Sequence, residues 1–79
     1  MIMNESMINQ KFVIDMINAP EQEVHILNTI GIEKGAELII VGNGYFEGSL
    51  LVVCNNVLLQ LNPYFIKKIS GSIVKEKNK

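Results

Sequence analysis

Two uncharged runs, Ser49-Leu50-Leu51-Val52-Val53-Cys54 and Val57-Leu58-Leu59-Gln60-Leu61, stand on either side of Asn55-Asn56. Short runs rich in branched and apolar residues read as strands. Asn tolerates the positive φ that both central residues of a type I′ turn require, so Asn55-Asn56 reads as a two-residue hairpin turn. A hairpin alone is marginal in water and needs more strands or a helix to cover its apolar side. The other segments must supply that cover within 79 residues, so residues 1–79 read as one small domain.

They supply it mainly as β structure. In Lys11–Ile17, Phe12, Ile14 and Met16 fall on one face, with Lys11, Val13, Asp15 and Ile17 on the other. Apolar residues on both faces suit a strongly curved strand in a small barrel. Residues 20–30 read as a helix capped by Asn18 or Ala19, with Pro20 in its first turn and Glu21 and Glu23 at the positive end of its dipole. Val24, Leu27 and Ile30 share one side. Gly31 ends the helix, because the residue just past the last turn is left-handed, and Ile32 then folds back on Leu27.

Glu33-Lys34-Gly35 reads as a turn and Glu37–Val41 as a strand. Gly42 to Gly48 is a seven-residue loop with three glycines and the aromatics Tyr45 and Phe46. After the hairpin, Asn62-Pro63 opens a helical turn over about 63–67, and Ile69–Val74 is a last strand. Met1 to Gln10 reads as a short strand or a loose arm, and residues 75–79 as a solvated, flexible tail. The expected fold is mainly β: a small barrel of five to six short antiparallel strands with one short helix. Closing the sheet buries its interior and removes exposed edges together. A helical turn before the last strand is a feature of SH3-like barrels.

Composition excludes several classes of function. Apolar residues make up 48% and charged residues 19%, which suits a folded chain. Seven Lys, no Arg and eight acids give a net charge of −1, too weak a field for a nucleic-acid partner or anionic lipid. The single Cys54 excludes a disulfide framework and a Cys-rich zinc site. The longest apolar run has five residues, so no segment reads as a bilayer span or direct membrane insertion. No basic residue precedes Lys11, and the cytoplasm is the expected location. No catalytic residues, cofactor or resident metal are expected.

Individual candidates are weighed against plainer roles. His25 with Glu21, one turn away, makes a poor metal ligand pair, and His25 reads as a surface or half-buried helix position. Cys54, in an apolar strand without a cationic neighbour, reads as a buried or edge thiol. Gly42-Asn43-Gly44 precedes a strand and lacks phosphate-loop spacing, so it reads as a turn. Lys67, Lys68, Lys75, Lys77 and Lys79 form a basic end that reads as solubilising. Tyr45 and Phe46 have two readings of equal weight. Either they are exposed anchors for a partner, or one of them folds back to plug the barrel mouth.

The stretch Ile26-Leu27-Asn28-Thr29-Ile30-Gly31-Ile32-Glu33-Lys34-Gly35-Ala36-Glu37-Leu38-Ile39-Ile40-Val41 resembles the ferrous iron transport protein A family, small SH3-like domains. The resemblance continues through Gly48–Val53 and Val57–Leu61 to Ile69 and covers residues 9 to 74. It rests on glycine placement and apolar spacing. Lys34 stands where the family often has proline, and the Gly42–Ser49 loop lacks the usual prolines.

The resemblance implies a non-catalytic cytosolic accessory protein of bacterial ferrous iron uptake. Its implied partner is the membrane transporter ferrous iron transport protein B, which carries a GTPase domain. Loops would make the contact, with Tyr45, Phe46, Glu47 and Leu50 as first candidates and Tyr64 as a second contact. The alternative is a peptide- or domain-binding regulatory module related to the SH3-like C-terminal domain of iron-dependent repressors. A third reading has His25 and nearby carboxylates binding ferrous iron directly. Strands with apolar residues on both faces also leave room for an edge-paired homodimer.

Overall fold

The structure, a computed structural model, describes residues 1–75. The expected tail lies outside the described residues beyond Lys75, as do Lys77 and Lys79 of the basic end. Five antiparallel strands form one sheet: β1 (Lys11–Ile17), β2 (Glu37–Asn43), β3 (Leu50–Cys54), β4 (Val57–Leu61) and β5 (Ile69–Val74). Their order is β4-β3-β2-β1-β5. Helix α1 (Glu21–Thr29) follows β1, and the single turn α2 (Pro63–Ile66) joins β4 to β5. Of the five to six antiparallel strands expected, five form, with the one helix and the helical turn, and β4 and β5 stand at the two ends of the sheet order.

The hairpin forms where the sequence puts it. Asn55 and Asn56 have φ of 53° and 66°, and Cys54 faces Val57 across the turn. Alternation then sends Leu50, Val52 and Cys54 inward. Phe12, Ile14, Leu38, Ile40, Leu61 and Ile69 join them from the other strands. Each such burial is worth about 1.5–3 kcal/mol. β2 runs two residues past the expected Val41, because a bulge between Ile40 and Gly42 lets Gly42 and Asn43 pair with Leu51 and Leu50.

Helix α1 starts one residue later than expected. Pro20 is its N-cap and makes no side-chain capping bond, and the Asn18 N–H instead donates to Lys68 C=O at 2.7 Å. The stop forms as expected: Gly31 has φ 95° and the Ile32 N–H donates to Leu27 C=O at 2.9 Å. Leu27 and Ile32 are both buried. The helix is held at both ends beside the hairpin. Tyr64 of α2 bonds Glu23 near its start, and the Cys54 thiol donates to Gly31 C=O at 3.5 Å just past its end. Leu27 is the residue through which the helix enters the core.

Met1 to Gln10 is an ordered strap. Met1 and Gly71 exchange backbone hydrogen bonds, Ile2 bridges Ser70, and Met3 is buried in the core. A 3₁₀ turn at Glu5–Met7 follows, capped by Asn4, whose side chain accepts from the Ser6 N–H at 2.8 Å.

Candidate partner-binding surface

The chain between β2 and β3 is tied down along its backbone. The Gly44 N–H donates to Ser49 C=O at 2.9 Å and the Ser49 N–H to Phe46 C=O at 3.0 Å. The Phe46 N–H donates to Ser49 Oγ at 3.1 Å, and that hydroxyl donates back to Phe46 C=O at 2.5 Å. The Tyr45 N–H donates to Oε1 of Gln60 on β4. Ser49 is buried, the one polar side chain so placed among the described residues. A buried hydroxyl must be bonded, and closing this turn is how Ser49 meets that requirement.

Held by these bonds, the loop turns its aromatic side chains outward. Tyr45 is 87% exposed and Phe46 67% exposed. Neither plugs the barrel mouth, so the plug reading falls. Glu47 beside them is also exposed. Leu50 differs from expectation: it is 3% exposed and belongs to the core. As the first residue of β3 it alternates inward with Val52, so its side chain supports the loop from below.

Tyr64 lies on α2. Pro63, its neighbour in α2, packs against Gly48, which places the start of α2 beside the loop. The Tyr64 hydroxyl donates to Glu23 Oε2 at 2.7 Å. That bond, with partial burial and the Glu23 charge, holds the hydroxyl above the ordinary phenol range. Lys68 Nζ lies 4.7 Å from the centre of the ring, and Phe65 packs edge-on against it at 5.2 Å. Tyr64 is therefore half committed to fixing α1, and 44% of it remains exposed.

The other candidates are dispersed. His25 and Glu21 are exposed on α1. Among the described residues no three His, Cys, Asp or Glu side chains come together to hold a metal. Burial, and secondarily the charge of Glu33, pushes the Cys54 thiol up, away from the reactive thiolate. Among the described residues no helix is long and apolar enough to cross a membrane. Sequence reasoning passed over Ser49 and Gln60, which shape the loop. The available signal was Gln60 itself, the one polar side chain in an otherwise apolar strand.

No family model and no curated protein matches the sequence. Solved structures do. The solution structure of the FeoA protein from Chlorobium tepidum superposes with a TM-score of 0.75 at 18% identity, covering 89% of this chain and 67% of that one. The crystal structure of Stenotrophomonas maltophilia FeoA complexed with zinc gives 0.66 at 20% identity, covering 82% and 81%. The latter is described as a prokaryotic SH3 domain protein and a candidate ferrous iron transport activating factor. The chain has the SH3-like fold of these FeoA structures.

Proposed function

We propose that this chain is a non-catalytic accessory protein of bacterial ferrous iron uptake. On this reading it acts in the cytosol on the membrane transporter, ferrous iron transport protein B. The observation that carries the reading is a fixed loop presenting Tyr45 and Phe46 to solvent on a FeoA-like fold. Rigid aromatics offer large contact area at little entropic cost, the usual character of an interface anchor. Glu47 adds a charge beside them for orientation, and Tyr64 is a second contact. A small domain alters a larger partner only by binding one of its conformations better than another.

The test is binding of the purified chain to the transporter's cytosolic region with GDP, with a GTP analogue and without nucleotide. Binding that differs between these states supports the reading. No binding in any state overturns it, and capture of a proline-rich peptide instead transfers the assignment to the peptide-binding regulatory module.

A further inference from the structure

The two edges of the sheet are treated differently. Along β5, the N-terminal strap takes up the edge: Met1 exchanges hydrogen bonds with Gly71, and Ile2 bridges Ser70. Along β4, no segment among the described residues makes comparable backbone bonds. The two-residue turn makes Cys54 and Val57 the closing hydrogen-bonded pair. Alternation then directs the N–H and C=O of Val57, Leu59 and Leu61 toward β3 and those of Leu58 and Gln60 away from it. Among the described residues no backbone group pairs with Leu58 or Gln60 from that outer side.

Natural edges are blunted by charge, proline, a bulge or a covering segment. β4 has no charged residue and no proline, and its register with β3 is unbroken across all five pairs. Its outward side chain Leu58 is 61% exposed. Leu58 continues an apolar row on the outer sheet face, since it faces Val53, which faces Ile39.

We propose that β4 is the self-association edge of this chain, pairing antiparallel with β4 of a second copy about a two-fold axis at Leu59. In that register Leu58 of each copy faces Gln60 of the other, so every outward donor and acceptor of both residues is used. A strand without ionisable groups meets itself with no like-charge clash, which is why a second copy suits it. The two sheets become continuous, and the apolar rows of both copies adjoin across the seam. The contact is small, so the dimer is weak and concentration-dependent. This inference does not rest on the proposed function: its argument uses the backbone of β4, although the seam includes Gln60, whose side chain holds the Tyr45–Phe46 loop.

Sedimentation of the full chain over a wide concentration series tests it. The mass should rise from 8.9 kDa toward twice that value. Leu58→Lys, at an exposed position, should keep the circular dichroism spectrum and weaken self-association at least about tenfold, while Phe46→Ser leaves it unchanged. Amide exchange gives a second readout that needs no variant: the Leu58 and Gln60 N–H groups should gain protection as concentration rises. A chain that stays monomeric, a Leu58→Lys variant that dimerises as well as the parent, or exchange at those two amides that ignores concentration overturns the proposal. So does a monomer that takes up a foreign apolar strand at this edge.

Discussion

The Tyr45 N–H and the Gln60 side-chain oxygen, fifteen residues apart in sequence, meet at 2.5 Å and hold the β2–β3 loop against β4. Gln60 is therefore a positioning residue for the aromatic pair. Gln60→Ala should cost about 0.5–1.5 kcal/mol, one hydrogen bond. It should also loosen the loop and weaken partner binding, because the aromatics lose their fixed direction. Urea titration and a binding isotherm on the same variant measure both effects. Binding unchanged with the bond removed would mean that the loop's direction does not matter.

Replacing Tyr45 and Phe46 together by Ser removes apolar surface that solvent already reaches. The thermal midpoint should stay within the range of ordinary surface changes, about 0.5 kcal/mol. Binding to the transporter's cytosolic region should fall by at least about tenfold, as for an anchor pair. Intact binding would move the interface elsewhere on the barrel.

At Gly71, a side chain has nowhere to go. A Cβ there would strike the Val13 carbonyl oxygen and stand 2.7 Å from the Phe12 ring. The β1–β5 ladder shifts register beside this point, between Ile14 and Met16. Gly71→Ala should therefore lose about 1–3 kcal/mol as an overpacking change, the obstruction being backbone that cannot turn aside. A lower urea midpoint measures it, and an unchanged midpoint would mean that β5 shifts freely along β1.

These residues also mark how far the sequence could be read. Asn55-Asn56 fixed the hairpin from local chemistry alone, since few other residues accept two successive positive φ angles. Gly31 and Ile32 likewise placed the helix stop. Leu50 was misplaced because Leu50-Leu51-Val52-Val53 is apolar on both faces, and a pattern without alternation does not say which face is inside. The strap was undecided for a different reason. Met3 is buried only because Ile2 meets Ser70, a pairing 68 positions away in the chain with no local signature. The direction of Tyr45 and Phe46 depended on Ser49 inside the loop and on Gln60, fifteen positions away.

Cys54 gives a pH dependence with a definite sign. Burial raises its folded pKa above the unfolded value, and the Glu33 charge adds to this. Its contribution to stability is therefore fully present below the ordinary thiol range and lost as pH rises through the folded value. The stability difference between the parent and Cys54→Ala should narrow between about pH 7 and about pH 10. Urea midpoints across that range test it. A gap that widens with pH would reverse the assignment of the thiol as neutral and buried.

Two neighbours on α1 separate packing from helix formation. Leu27 is 2% exposed and Ile26 is 55% exposed. Helix α1 has nine residues, too few to persist on propensity, so its anchor in the core must hold it. Leu27→Ala should cost about 2–5 kcal/mol. In a domain this small, that is enough to leave a large unfolded fraction. Ile26→Ala removes a branched side chain from solvent and replaces it with the best helix former, so it should be neutral within about 0.5 kcal/mol. Chemical denaturation of the pair decides between the two sources of helix stability. Equal losses at both positions would mean that Ile26 is covered in solution by something other than this chain's own core, a second copy included.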